Sequence, residues 1–248
     1  MPKTIAIDAD LMVYTIGFSC QQVIDFGDDY DHVHISGDKV RASSMLAAEA
    51  TKLREHFGTK ARIVFCLSDP KENFRKDVLE SYKGNRNNSS NRPCMFSFIR
   101  EWFMHNTECR WEPRLEADDL LGIMATGPER ALMVSIDKDL LTIPGILYDP
   151  ETLTPQKTNA AQAHYNHLFQ TLCGDAVDNY KGCPGLGKVK AARLLDEDCS
   201  WDAVVAAFAK AHKVDAEEAE ELALVQARVA YILHHEDYKD GEVTLWTP

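Results

Sequence analysis

Hydrophobic and polar positions in this chain switch between two periods. Three short apolar runs, Thr4-Ile-Ala-Ile-Asp8, Arg62-Ile-Val-Phe-Cys-Leu-Ser-Asp69 and Ala131-Leu-Met-Val-Ser-Ile-Asp137, are rich in Ile and Val and lie between stretches of helical spacing. That alternation predicts buried parallel strands joined by helices, an α/β fold with a doubly wound, mostly parallel sheet. Residues 11–20 read as the first helix and 25–38 as a polar loop or hairpin insertion. A helix over 39–57 carries Val40, Met45, Leu46, Leu53 and Phe57 at helical spacing and stops at Gly58. Further helices are expected over 95–105 and 115–125, with short strands at 109–112 and 146–148. From residue 159 the pattern is helical almost to the end (159–173, 188–195, 201–212, 216–234), and 242–246 closes as a strand.

Each of the three apolar runs ends in aspartate, and the carboxyl ends of parallel strands are where open α/β sheets hold ligands. More acids follow in Leu115-Glu-Ala-Asp-Asp119, at Asp139 and in Gly174-Asp-Ala-Val-Asp178. The plain alternatives are real: acids in a first helical turn stabilise it through the macrodipole, and a strand-end aspartate can serve as a helix cap. Taken together, the acids predict a cluster at one sheet edge. Two carboxylates about 4 Å apart repel by roughly 4 kcal/mol at an effective dielectric of about 20, so such a cluster calls for hard divalent cations held by oxygen, of which Mg²⁺ is the natural choice.

The 248 residues, 45% of them hydrophobic, suffice for one large domain or a core with an appendage. No apolar stretch approaches a membrane span and no secretory pattern opens the chain, so a cytoplasmic protein without membrane contact is expected. Seven scattered cysteines without a Cys-x-x-Cys pair argue against a disulfide framework and a structural zinc site. A net charge of −12 speaks against nucleic acid, but its distribution is uneven. Residues 71–92 carry six basic side chains against three acids, whereas 196–242 carry thirteen acids against four bases.

Two further motifs bear on that partner. Tyr82-Lys-Gly-Asn-Arg86 lies in the polar basic stretch 70–94, which is expected to lack order without a partner. Lys83 and Arg86 could reach a phosphate at the cluster while Tyr82 stacks on a base. Gly182-Cys-Pro-Gly-Leu-Gly-Lys188 matches seven positions of a P-loop, but Val189 stands where Ser or Thr should hold Mg²⁺ and no strand precedes it. The turn instead suits a hairpin whose backbone N–H groups face a nucleic-acid phosphate.

Together these motifs, with Ser135-Ile-Asp-Lys-Asp139, resemble the 5′-nuclease family: flap endonucleases, bacteriophage 5′→3′ exonucleases and the 5′-nuclease domain of bacterial DNA polymerase I. The resemblance covers roughly residues 3–195. It implies a PIN-like catalytic core over 1–158 with a helical arch at about 70–100, and a helical DNA-binding region over 159–248 with a helix-hairpin-helix at about 174–195. It implies a first metal among Asp8, Asp69, Glu116 and Asp118, and a second served by Asp119, Asp137, Asp139, Asp175 and Asp178. Lys83 and Arg86 match the basic residues at the base of the arch. Arg75, Tyr82, Lys83, Arg86, Gly185, Gly187, Lys188 and Lys190 are the expected DNA contacts. Asp10 stands where many relatives carry a small polar residue, residues 21–38 have no counterpart, and the last fifty residues match nothing specific.

The implied activity is 5′→3′ exonuclease and flap endonuclease cleavage of DNA, with RNA in RNA–DNA hybrids as a further substrate. It would depend on two or more Mg²⁺ ions, with Mn²⁺ able to substitute and K⁺ at the hairpin. A monomer is expected, in the host cytoplasm for a phage protein. The alternative of another class is a DNA-junction binding protein with little or no hydrolysis, against which the full acidic set argues. A single-strand ribonuclease of related acidic-cluster type would lack the hairpin and the arch.

Overall fold

The computed structural model describes residues 3–25, 33–86 and 92–248. In chain order the first half comprises β1 (Thr4–Asp8), α1 (Asp10–Ser19), the β2–β3 hairpin (Gln21–Asp25 and Val33–Gly37), α2 (Lys39–Phe57), β4 (Arg62–Cys66), α3 (Arg75–Val78), α4 (Phe96–Asn106), β5 (Cys109–Arg110) and α5 (Ala117–Thr126). There follow β6 (Leu132–Val134), β7 (Gly145–Tyr148), β8 (Pro155–Thr158), α6 (Ala160–Cys173), α7 (Lys188–Glu197), α8 (Trp201–His212), α9 (Ala216–Ala230), β9 (Tyr238–Lys239) and β10 (Glu242–Val243).

Six strands form the central sheet in the order β5-β4-β1-β6-β7-β8, parallel except for β8. The period-two pattern of β1 explains the two layers. Ile5 and Ile7 pack with α1, α2 and α4 on one face, and Ala6 packs with α5 on the other. From β1 the chain builds outward to β4 and β5, then returns to β1's other side with β6. The strand order therefore reverses between β1 and β6, which opens a crevice at their carboxyl ends. Capping follows local chemistry: Asp38 accepts the Arg41 N–H ahead of α2, and Asn159 and Gln162 form a reciprocal capping box on α6.

The polar insertion is a hairpin that begins at Gln21, four residues before the expected boundary, with its tip outside the described residues. The edge strand β8 was not foreseen, because Pro155-Gln-Lys-Thr158 lacks any apolar run. The last helix ends at Ala230 rather than at 234. Residues 231–233 leave helical geometry because the carbonyls of Val229 and Tyr231 are taken by Arg75, and the Leu233 carbonyl packs so closely on Gly122 that a Cβ there would come within 2.5 Å of it. The closing strand is two residues long, paired to β9.

The basic stretch also differs from expectation. Residues 70–86 pack on the core through Phe74, Arg75 and Tyr82, all buried. The run was expected to bury too little apolar surface to order itself, but Phe74 and Tyr82 lie inside and buried Arg75 meets its counter-charge, Asp119, on α5. Residues 87–91 lie outside the described residues. α6 and α7 share a hydrophobic cluster through Leu168, Leu172, Ala191 and Leu195, with the glycine-rich turn between them. Among the described residues no helix is long and apolar enough to cross a membrane.

Candidate functional site

A cleft of about 510 Å³ opens at the carboxyl ends of β1, β4 and β6. Asp8 ends β1; its Oδ1 accepts the Asp10 N–H (3.0 Å) and its Oδ2 the Ser135 hydroxyl (2.9 Å). The same Ser135 oxygen accepts the Asp137 N–H (3.1 Å), so one hydroxyl ties the ends of β1 and β6 together. Glu116 and Asp118 come from the first turn of α5, and Asp175 and Asp178 from the loop after α6. The turn over residues 81–86 is stitched to that loop: the Lys83 N–H donates to the Asp178 carbonyl (2.8 Å) and the Asn85 amide to that of Ala176 (2.9 Å). Eight of the nine expected ligands line the cleft with Lys83 and Arg86, and Asp119 does not.

The carboxylates divide electrostatically. Burial, then the charges of Asp10 and Asp137, push Asp8 up to about 7. Burial, then Asp8, Asp137 and Glu116, push Asp118 well above the carboxylate range. Asp139 rises to about 7 through burial and the charges of Asp137, Asp175 and Asp178. These form two groups that share Asp137. Glu116 behaves oppositely: burial would raise it, but Lys83 and Arg75 outweigh that and hold it at about 2. The Lys83 ammonium bonds Glu116 and lies 3.4 Å from Asp178, and Arg86 bonds Asp178 at 2.5 Å.

Among the described residues no three His, Cys, Asp or Glu side chains already converge as a metal cage. Glu116 and Asp178 are instead paired with Lys83 and Arg86. Even so, buried Asp118 Oδ1 has no hydrogen-bond partner among the described residues, and Asp8 and Asp139 resist ionisation. An all-oxygen set with too little positive charge fits a hard divalent ion.

Three expected roles change. Arg75 is 2% exposed, with its guanidinium paired to both oxygens of Asp119 (2.7 and 2.8 Å), so it is not available to DNA. Asp119 is fully buried with both oxygens engaged, which removes it from the ligand set. Tyr82 is also buried, with its hydroxyl, a single donor, within bonding distance of both Glu116 (3.0 Å) and Asp178 (2.9 Å), so its ring offers no face to a base. Asp69 lines the cleft and accepts the N–H groups of Lys71 (2.9 Å) and Arg114 (2.8 Å); these backbone bonds outweigh burial and hold it below the usual range, and one bond per oxygen leaves each with acceptor capacity for an ion. In contrast Asp10, outside the implied set, faces Asp8, accepts the Ser68 N–H (3.2 Å) and lies 3.6 Å from Arg100. Gln170, which sequence reading missed, donates to Asp139 (2.7 Å); one glutamine on a helix face gives no signal of its own. Gly185, Gly187, Lys188 and Lys190 are exposed and outside the cleft lining.

Residues 3–166 match the family described as "5'-3' exonuclease, N-terminal resolvase-like domain". The chain belongs to the 5'-3' exonuclease family. It is accordingly a nuclease, a hydrolase of phosphodiesters. This 5'-3' exonuclease family member is 28% identical to the exodeoxyribonuclease of Enterobacteria phage T3 over 261 residues, covering 87% of this chain and 83% of the relative. It is 27% identical to the exonuclease of Escherichia phage T7, covering 87% of this chain and 84% of that one. Its fold is that of the T5 5'-exonuclease bound to zinc, at a TM-score of 0.62 and 14% identity over 92% of this chain and 89% of that one. The Rad2 catalytic core in complex with a DNA substrate shares it at a TM-score of 0.56 and 15% identity, over 99% of this chain and 84% of that one.

Proposed function

We propose that this nuclease is a divalent-metal-dependent 5′→3′ exonuclease and structure-specific flap endonuclease acting on DNA. The observation that carries the reading is the buried Asp118 carboxyl, whose Oδ1 has no partner among the described residues and which the charges of Asp8, Asp137 and Glu116 oppose, in a cleft that Lys83 and Arg86 also line. The description of the family, 5'-3' exonuclease, supports the polarity, and the name of the phage T3 relative, an exodeoxyribonuclease, supports DNA as the substrate. Mg²⁺, replaceable by Mn²⁺, suits the all-oxygen donors. Asp8, Asp69, Glu116, Asp118 and Asp137 would hold one ion, and Asp137, Asp139, Asp175 and Asp178 the other. Bound there, the ions supply a water-derived nucleophile and neutralise charge on the reacting phosphate.

The chain's own groups do the rest. Lys83 and Arg86, now on Glu116 and Asp178, are within reach of a phosphate entering the cleft, where a fixed positive charge counts most as negative charge develops on its oxygens. Ser135 keeps Asp8 and Asp137 at one place. The exposed turn from Gly182 to Lys188, at the start of α7, would hold duplex phosphates. The Gly185 carbonyl already accepts from the Lys190 ammonium (3.0 Å), so a K⁺ ion there would have to displace it. Because all these contacts address phosphate and not base, the reading extends to RNA paired with DNA.

The test is cleavage of 5′-labelled and 3′-labelled duplex, nicked, flap and hybrid substrates with Mg²⁺ or with EDTA. Short 5′-terminal products that vanish in EDTA are expected. Degradation from the 3′ end, or cleavage that survives chelation, would refute the proposal; tight binding without cleavage would favour a junction-binding scaffold.

A further inference from the structure

Arg75, at the wall of the cleft, is the most heavily bonded side chain among the described residues, and all of its bonds go to groups of the chain itself. Arg75 Nε donates to the Val229 carbonyl (3.0 Å), Nη1 to Asp119 Oδ2 (2.8 Å) and Glu116 Oε2 (3.3 Å), and Nη2 to Asp119 Oδ1 (2.7 Å) and the Tyr231 carbonyl (2.6 Å). Asp119 in turn accepts the Glu116 N–H at Oδ2 (3.0 Å) and the Leu233 N–H at Oδ1 (3.3 Å). One ion pair thus joins three segments distant in sequence: α3 at the foot of the basic stretch, the first turn of α5, and the end of α9 with the residues that follow it.

A buried ion pair is a poor way to stabilise a fold, since an apolar pair of similar volume is often as good or better. What an apolar pair lacks is direction. Here the fork of Arg75 sets Asp119, Asp119 sets the Glu116 amide at the start of α5, and Arg75 also touches the Glu116 carboxylate. Glu116 and Asp118 leave that same turn toward the cleft. The residues at 229–233 complete the socket, and this gives the otherwise unassigned end of the chain a part in the site.

We propose that Arg75 is a positioning residue: through Asp119 and the carbonyls of Val229 and Tyr231 it fixes the first turn of α5 so that Glu116 and Asp118 present their oxygens to a divalent ion. This coupling makes ion affinity depend on the docking of residues 229–233. It rests on the reading of the cleft as a metal site. By reciprocity, an ion bound in the cleft must also tighten the docking of that segment.

The test is calorimetric titration of Mn²⁺ into the full chain without DNA. Arg75→Lys keeps the charge but loses the fork, and should weaken Mn²⁺ binding by about 10-fold or more, the usual cost of disturbing an outer-shell partner. Phe208→Leu, a buried change in the helical cluster away from the cleft, should bind like wild type at a matched loss of thermal stability. Equal affinity for Arg75→Lys and wild type, or an equal loss in Phe208→Leu, overturns the proposal. Absence of binding to wild type instead refutes the metal reading itself. If Arg75→Lys does not fold, the double variant Arg75→Met with Asp119→Leu removes both buried charges and should show the same weakened binding; wild-type affinity there would sink the idea. Independently of any variant, saturating Mg²⁺ should slow hydrogen exchange of the Leu233 amide in wild type by about 5-fold or more, and an unchanged rate also counts as refutation.

Discussion

Glu116 and Asp118 lie two residues apart on one helical turn, yet their charges meet opposite fates. Glu116 has Lys83 and Arg75 against it, whereas Asp118 faces Asp8, Asp137 and Glu116 and keeps an oxygen without a partner among the described residues. Asp139 belongs with Asp118: Asp137, Asp175 and Asp178 crowd it, Lys83 offsets them only in part, and burial does the most. Its folded-state value of about 7 against an ordinary 3.8 has a definite sign for stability. The folded chain binds this proton more tightly than the unfolded one, so without metal stability is lost as pH rises from about 4 to 7. At about 1.4 kcal/mol per pH unit the accumulated penalty is on the order of a few kcal/mol. In EDTA at pH 8, Asp139→Asn should therefore melt above wild type, and the gain should vanish below pH 4. Thermal scans across that range check it, and a variant less stable than wild type at pH 8 would contradict the account.

At the level of elements, loops bring the acids to the sheet edge, and close backbone contact fixes the loops. Gly174 (φ +65°) and Gly182 (φ +64°) meet back to back: a Cβ on Gly182 would lie 2.3 Å from the Gly174 nitrogen. Between them the Asp175–Tyr180 bridge (2.9 and 3.0 Å) closes the loop that presents Asp175 and Asp178. Gly185 also has positive φ (+76°), but open space surrounds its Cβ position. Gly185→Ala should cost about 1 kcal/mol for the left-handed backbone alone. Gly182→Ala must also part the two strands of the loop. It should cost more than that and lower Mg²⁺-dependent turnover at temperatures where the protein is still folded. Melting curves with rate measurements on both variants decide it; similar losses at the two positions would remove the argument. The early end of α9 has the same origin, since contacts with Arg75 and Gly122 outweigh helical spacing that continues to residue 234.

For the whole molecule, a charge of −12 concentrates part of its repulsion in one cleft and part in the C-terminal helices. Divalent ions that bind only the folded cleft stabilise it by mass action, about 2.7 kcal/mol at 100 times the dissociation constant. For a chain of this size that is roughly a 5–10 °C rise in Tm. Mg²⁺ should produce it without DNA, NaCl of equal ionic strength should not, and an unchanged Tm would weigh against the metal reading. The parallel sheet, the order of the helices and the strand-end acids were legible in the sequence, because side-chain period and short-range spacing are local properties of the chain. The roles of Arg75, Tyr82 and Asp119 were not, because type and spacing say what a charge can do and not which charge it meets. Tertiary structure alone decided that Asp119 pairs with Arg75, that Asp10 joins the cleft and that residues 231–233 leave the helix. Each outcome depends on partners dozens of residues away, and on the rule that a buried charge takes the nearest opposite charge that geometry allows.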